Sequence, residues 1–209
     1  HSAALEAVEA ARQAGDDRTF IDVIEGTHLT LATPDRRDRH LADIEQAVTS
    51  ADRLDDPLLR ARVRYPAMWA RYQLADLAGA DATLGEYQAL VDQLGLPYLD
   101  WQPGQFTAGR LLLAGRTDEA EVAIEHLLEL GTAAGSPDVL GAYGGLLYAI
   151  RWQQGRTAEI ADFFLDVARE NPSIAALRAS IPLMLCELGR CDEARELLLG
   201  EIERDFDYP

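Results

Sequence analysis

The sequence QAGDDR at residues 13–18 returns as RLDDPL at 53–58, QLGLPY at 93–98 and AAGSPD at 133–138, so the same kind of turn recurs at a constant interval. Each copy separates two Ala- and Leu-rich stretches whose apolar residues have the spacing of an amphipathic helix. One helix pair cannot bury its own apolar face, so a constant interval of this length indicates stacked helix pairs. These turn sequences therefore predict an all-α fold built from tandem helix pairs.

A second set of turns lies between the first: AGADAT at 78–83, AGRTDEA at 114–120, QGRTAEI at 154–160 and LGRCDEA at 188–194. Its glycines are Gly79, Gly115, Gly155 and Gly189, and their spacing is less regular. RENPSI at 169–174 is a further copy of the first set. We predict an α-solenoid of about 11 helices in a single domain over 1–209, with repeats at about 17–55, 57–95, 97–135, 137–171 and 173–205.

The apolar spacing also predicts the individual helices. We expect the first at about 2–14, a second marked by Phe20, Val23 and Ile24 that stops at Pro34, and a third whose apolar stripe is Leu41, Ile44, Val48 and Ala51. The rest are expected at about 57–78, 81–94, 98–114, 117–134, 137–154, 157–170, 173–188 and 191–204. Ala120 and Ala194 follow the turns of the second set, where two helices approach closely and a larger side chain would separate them. Ile160 takes that place in the middle copy, so we expect a slightly more open pair there.

Composition excludes several classes of function. The chain has 36 acidic and 19 basic residues, a net charge of −17, which disfavours a nucleic-acid partner. It contains no lysine, so a phosphate-loop lysine or a Schiff-base lysine is excluded. A membrane span needs about 18 consecutive apolar residues, and no stretch of the chain has them. No secretory signal is visible either, so we expect a cytoplasmic protein. Because the chain starts at His1 and stops at FDYP, we expect a fragment of a longer protein.

Side chains capable of catalysis or metal binding are not arranged in a recognisable motif. His28, His40 and His126 have no second ligand at metal-binding spacing, and no nucleophile elbow is present. We therefore expect no enzyme activity, no metal and no cofactor. Cys186 and Cys191 are expected to be reduced thiols, with a regulatory disulfide across their turn as the alternative.

GRTDEA and GRCDEA resemble the glycine-to-alanine turn of tetratricopeptide repeats, and Asn171-Pro172 resembles the proline turn between such repeats. The resemblance covers about 65–204, and the residues that precede it share only the interval. Pro182 inside a helix and an interval longer than usual depart from the family pattern. The Arg-only, Ala-rich style is similar to the C-terminal repeat region of large actinobacterial regulators, in which an ATPase module, often with a cyclase or DNA-binding domain, precedes the repeats.

The resemblance implies a superhelix whose concave face is lined by the first helix of each pair and binds a peptide or an adjoining domain. It places these residues on that face: Trp69, Gln73, Gln102, Gln105, Gly145, Ala149 and Trp152. We expect a non-catalytic interaction domain of a signalling or transcriptional regulator. The alternative is a sensor with a small ligand or signalling peptide in the groove, which an enclosed apolar pocket near Gly144 and Gly145 would favour.

Each candidate residue also has a purely structural interpretation. Trp69 and Trp152 are partner anchors or are packed between helices. Gly141, Gly144 and Gly145 form a groove floor or, as we favour, a close helix contact, and we expect the aromatic group of Tyr98, Trp101 and Phe106 to fill the core. A candidate patch for an acidic partner or a phosphate comprises Arg36, Arg37, Arg39, Arg60 and Arg64. The competing interpretation is that these arginines are solvated or pair with nearby acids.

Overall fold

The computed structural model describes residues 1–171 and 175–205. Within them the chain forms 11 α-helices and two short 3-10 helices, with no strand. The prediction of an all-α fold is confirmed. The α-helices are α1 Ser2–Ala14, α2 Asp17–Leu31, α3 Arg37–Leu54, α4 Pro57–Gln73, α5 Leu77–Leu94, α6 Gln102–Leu113, α7 Thr117–Ala133, α8 Val139–Gln153, α9 Ala161–Glu170, α10 Ala175–Glu187 and α11 Cys191–Glu203. The 3-10 helices are Pro34–Arg36 and Thr157–Glu159.

The residues predicted to end helices in the first set of turns have left-handed backbone. Gly15, Asp55, Gly95 and Gly135 have φ of 68°, 51°, 56° and 67°. This conformation closes a helix by letting the next amide groups bond to its last free carbonyls. At Gly135, for example, the following amide of Ser136 donates to Gly131 O at 2.9 Å. The constant interval of the first set therefore marks the ends of successive helix pairs.

In the second set, the structure corrects the prediction at its first member. Gly79 lies inside α5, and the left-handed residue is Ala75, with φ of 55°. Ala75, Gly115 and Gly155 are equally spaced along the chain, so the true turn restores the interval that Gly79 disturbed. The hydrogen bond of the turn is the same at the first two positions: Asp76 N donates to Arg71 O at 3.0 Å, and Arg116 N donates to Leu111 O at 2.9 Å.

Aspartates begin three of the helices. The carboxylates of Asp16, Asp56 and Asp76 accept hydrogen bonds from backbone amides in the first turns of α2, α4 and α5, at 2.8, 3.0 and 3.0 Å. These amides have no partner within the helix, so the carboxylate satisfies them and also lies at the positive end of the helix dipole. The aspartates of the turns therefore act as caps, as their position in the sequence indicates.

The chain divides into two compact units. Unit 1 comprises residues 1–106 and 129–136, and unit 2 comprises residues 107–128 and 137–209. In unit 1, α4 buries two faces in two apolar clusters. One face, with Val63 and Ala67, packs against α2 and α3 in a cluster that α1 also joins, and the other, with Ala61 and Met68, packs against α5 and Phe106. A helix that needs neighbours on both sides is what the interval predicts for an inner member of a helix row.

Unit 2 also has two apolar clusters, and α8 contributes to both. Ile150 packs with Ala120 and Ile124 of α7, whereas Leu147 also contacts the cluster formed by α9, α10 and α11. Ala120 is fully buried and Ala194 is 4% exposed, as expected for positions of close helix approach.

Two further elements differ from the predicted bounds. Helix α6 begins at Gln102, after a turn that follows Pro97, rather than at 98. The expected helix at 157–170 begins with a 3-10 helix, and the α-helix starts only after Ile160. Pro182 lies inside α10 as predicted, and Pro66 likewise lies inside α4. The predicted turn at Asn171-Pro172 and the helix start at 173–174 fall partly outside the described residues.

Candidate functional site

The first candidate surface lies on α4 in unit 1. Tyr65, Trp69 and Tyr72 follow one another at helical spacing and contact Phe106. The Trp69 ring meets Phe106 edge-on with 5.6 Å between centroids, and Trp69 is 37% exposed. The aromatic contact holds the indole against Phe106, and about a third of Trp69 remains exposed to solvent. We call Trp69 and its helical neighbour Gln73, which is exposed, the α4 surface.

The two glutamines predicted with this surface form hydrogen bonds within the chain. Gln105 Nε2 donates to the Tyr65 hydroxyl at 3.3 Å, and the Tyr87 hydroxyl donates to Gln102 Oε1. Tyr87 is fully buried, and burial raises the pKa of its hydroxyl, so this hydroxyl stays protonated and acts as a donor. Gln102 and Gln105 therefore position the start of α6 against α4 and α5. Some of the hydrogen-bonding groups of these two side chains already have partners within the chain.

The second candidate surface lies on α8 in unit 2. Gly145, Ala149 and Trp152 occur at i, i+4 and i+7 and so share one side of the helix. Trp152 is 49% exposed. A Cβ added at Gly141 or Gly145 would meet no atom within 4 Å, and one added at Gly144 would meet Phe164 Cζ at 3.9 Å.

The favoured interpretation of this glycine group, a close helix contact, is therefore wrong at Gly141 and Gly145. Gly144 makes only an ordinary van der Waals contact. Gly141 and Gly145 therefore leave open backbone on the helix that also carries the half-exposed indole of Trp152. We call Gly145, Ala149 and Trp152 the α8 surface.

An ion-pair network holds the end of α8 that carries Trp152. Arg151 is mostly buried and donates to Glu121 of α7 at 2.7 Å, and its Nε lies 3.6 Å from Glu159. Hydrogen bonding by Arg151 lowers the pKa of Glu121 to about 2. Charge-assisted hydrogen bonds of this kind are among the stronger polar contacts in proteins. The network therefore ties the end of α8 to α7 and to the 3-10 helix at Thr157–Glu159.

The aromatic group around Pro103 divides between core and surface. Trp101 and Phe106 are 4% and 3% exposed, so core filling is confirmed for both. Tyr98 is 46% exposed and does not share this burial. Trp101 is therefore a core residue, and the exposed indole of the α4 surface is that of Trp69.

Most arginines of the predicted acidic-partner patch have partners within the chain. Four of the five form ion pairs: Arg37 with Asp38 at 3.3 Å, Arg39 with Asp43 at 3.4 Å, Arg60 with Asp52 at 3.4 Å, and Arg64 with Asp52 and Glu86, both at 2.9 Å. Arg64 is also buried. The competing interpretation, pairing with neighbouring acids, fits these four. Arg36 behaves differently, because its buried Nε has no hydrogen-bond partner among the described residues.

Other reactive side chains are not gathered into a site in the part of the chain that the structure describes. Residues 1–171 and 175–205 contain no group of three or more His, Cys, Asp and Glu side chains able to hold a metal ion. Cys186 and Cys191 are free and exposed, and burial together with the neighbouring Cys191 thiol raises the pKa of Cys186. None of the helices described is both long enough and apolar enough to cross a membrane.

No protein-family model matches the chain, and a search of curated proteins found no significant match in sequence.

Proposed function

We propose that this chain is a non-catalytic interaction domain of a regulatory protein, and that it binds an extended or helical segment of a protein partner. The observation that carries the proposal is the α8 surface, where a half-exposed tryptophan lies on the same side of the helix as open glycine backbone two turns away. Tryptophan is enriched among the residues that dominate binding energy at protein interfaces. Glycine without a neighbour lets the backbone of a ligand approach the helix closely.

The α4 surface supports the same proposal with a second exposed tryptophan. Helices α4 and α8 are each the first helix of a pair in the predicted repeats. In a tetratricopeptide-like solenoid the first helices line the concave face, and we place the partner there. The left-handed turn residues at regular intervals favour such tandem pairs over an irregular helical bundle.

We further propose that the domain belongs to a cytoplasmic signalling or transcriptional regulator, of the actinobacterial type that the sequence resembles. The partner is then another protein or an adjoining ATPase or effector domain of the same polypeptide. The net charge of −17 disfavours direct contact with nucleic acid. No cofactor enters the proposal.

Selection of peptides from a displayed random library against the 209-residue chain tests this function. We expect enriched peptides with an apolar anchor residue and a dissociation constant in about the micromolar range. Trp152→Ala should weaken their binding about tenfold or more, because it removes the anchor of the α8 surface. Titration calorimetry with a synthetic peptide measures the change.

Leu140→Ala is the matched control. Leu140 lies on the same helix and is 69% exposed, but its side chain projects about 140° around the helix from Gly145. Binding should survive this substitution. If no peptide is enriched, or if the two variants weaken binding equally, the proposed interaction surface is incorrect.

An enclosed apolar pocket near Gly144 and Gly145 would favour the sensor alternative. Gly144 and Gly145 line neither the cavity beside α1 and α3 nor the one formed by α9, α10 and α11. Neither of these two cavities supports a small ligand at the α8 surface, and we propose a partner segment there.

A further inference from the structure

The two cysteines of the chain lie on either side of the turn between α10 and α11. Cys186 is in the last turn of α10, and Cys191 is the first residue of α11. Both are free and exposed to solvent. Free cysteine is among the most buried residue types in proteins, so two exposed thiols at one turn are unusual and point to reactivity at the surface.

The backbone of this turn brings the two thiols together. Gly189 has φ of 73°, its amide donates to Cys186 O at 3.0 Å, and the Arg190 amide donates to Leu185 O at 2.8 Å. Burial raises the pKa of the Cys186 thiol, and the adjacent Cys191 thiol raises it further. Thiols that adjoin across a tight reversal of the chain have the proximity that a disulfide requires.

The equivalent turns show that this backbone does not need cysteine. The turns at Gly115 and Gly155 have the same hydrogen bond as the one at Arg190, with distances of 2.9 and 2.8 Å. In place of the two cysteines they carry apolar and hydroxyl side chains: Leu112 and Thr117 in one turn, Trp152 and Thr157 in the other. The paired thiols are therefore an addition to the last turn and not a condition for forming it.

Helix α11 is held to its neighbours by few buried side chains. In the described part of the chain Ala194 is its one buried residue, and Leu198 and Ile202 are about half exposed. Arg178 of α10 pairs with Glu201 at 3.2 Å, towards the end of α11. A covalent link at Cys191 would restrain the start of the helix, which lies farther from this ion pair.

We propose that the turn between α10 and α11 is a site of thiol–disulfide exchange, at which Cys186 and Cys191 form an intramolecular disulfide when a small disulfide oxidises them. The thiolate of one cysteine attacks a sulfur of the small disulfide, breaks its S–S bond and releases a small thiol, which takes up the proton. The thiolate of the other cysteine then attacks the protein sulfur of the mixed disulfide and releases the second small thiol. Two electrons pass from the protein to the small disulfide, and the reverse reaction restores both thiols.

The turn lies outside the α4 and α8 surfaces, so this reaction does not depend on the proposed partner binding. The test uses the reduced 209-residue chain and hydroxyethyl disulfide, an uncharged oxidant that the net charge of −17 does not repel. Free thiols are then blocked with maleimide. Trypsin cleaves after Arg190 and so places the cysteines on separate peptides, 179–190 and 191–195. We expect mass spectrometry to find these two peptides joined by a disulfide, in a monomeric chain without maleimide.

Single serine variants provide the matched controls. Cys186→Ser and Cys191→Ser each leave one exposed thiol and should melt as the wild type does, because neither side chain is buried. Each variant should stop at the mixed disulfide with one hydroxyethyl group, since the second thiolate is missing.

The equilibrium in mixtures of hydroxyethyl disulfide and mercaptoethanol measures the effect of the turn. We expect the ratio of disulfide to dithiol to be at least about tenfold higher in the folded chain than in the chain unfolded in urea, because the fold holds the thiols together.

Two results would overturn the proposal. One is a wild-type chain that ends with a mixed disulfide on each cysteine, or with disulfides between chains, in place of the joined peptides. The other is an equal ratio in the folded and unfolded chains, which would mean that short separation in the sequence, and not the turn, pairs the thiols.

Discussion

Two tryptophans of the chain differ in what surrounds them, and this difference separates core from surface. Trp101 is 4% exposed, and Trp152 is 49% exposed. We expect Trp101→Ala to lower the free energy of unfolding by about 3–5 kcal/mol, because it leaves a cavity. Trp152→Ala should lower it by about 1 kcal/mol, since the indole is half solvated already. Urea unfolding of the two variants measures both values, and equal losses would contradict the assigned exposures.

At the residue scale, the sequence predicts which residues form the turns better than it predicts which side chains form ion pairs with one another. The roles of glycine and aspartate at the turns depend on nearby residues alone. Gly15 can therefore be assigned as a helix end and Asp16 as a helix cap from the sequence. The pairing of Arg64 with Glu86, or of Arg151 with Glu121, joins residues far apart in the chain. Such pairs depend on how helices pack, which a single sequence does not specify.

At the scale of the element, the turns at Ala75 and Gly115 are equivalent, so the residue type of each turn can be tested in the other. Ala75 has φ of 55°, a conformation that costs an L-residue about 1–2 kcal/mol. Ala75→Gly should therefore stabilise the protein by about 0.5–1 kcal/mol after the added freedom of the unfolded chain is subtracted.

The reciprocal change provides the control. Gly115→Ala should destabilise by about 1 kcal/mol through backbone strain alone, because a Cβ there meets no atom within 4 Å. Thermal melting of the two variants is the measurement. A destabilised Ala75→Gly protein would show that Ala75 is not in the left-handed conformation.

Helices α7 and α8 are joined by a carboxylate whose ionisation stabilises the fold. The pKa of Glu121 is lowered to about 2 from an ordinary value of 4.5, chiefly by Arg151. A group whose pKa falls on folding stabilises the protein above the unfolded pKa, and this contribution is lost as the pH drops towards the folded pKa. We expect the stability difference between wild type and Glu121→Gln to shrink between pH 4.5 and about 2.

Urea unfolding of both proteins across that pH range measures the difference. The comparison with Glu121→Gln is needed because other carboxylates, including Glu159 and Glu193, also have lowered pKa values. A stability difference that stays constant down to the lowest pH would mean that Glu121 is not held in the charged form by Arg151.

The elements that sequence could not place have physical explanations. Ala75 is a common helix residue and carries no turn signal, so the pattern points to Gly79 in its place. Pro97 and Pro103 both lie near the start of α6, and the chain takes one extra turn between them before the helix begins. The 3-10 helix at Thr157–Glu159 precedes Ile160, where the other copies have alanine, so the looser pair expected there coincides with an interrupted helix.

At the scale of the whole molecule, the two compact units each contain apolar clusters that share a helix, α4 in unit 1 and α8 in unit 2. The regular interval of the turns predicts this use of two faces, because inner helices of a tandem row have neighbours on both sides. The cavity beside α1 and α3 could not be predicted, since it depends on the meeting of three elements from different parts of the sequence.

We expect stability in this chain to be local, as it is in arrays of helix pairs that contact mainly their neighbours. Hydrogen exchange of Ala194→Leu tests it directly. Ala194 is 4% exposed in the cluster of α9, α10 and α11, so leucine should overpack it and cost about 1–3 kcal/mol. We predict faster amide exchange in α9–α11 and unchanged protection in α1–α4. Equal loss of protection throughout both units would contradict this expectation, because it would show that the two units unfold as one cooperative system.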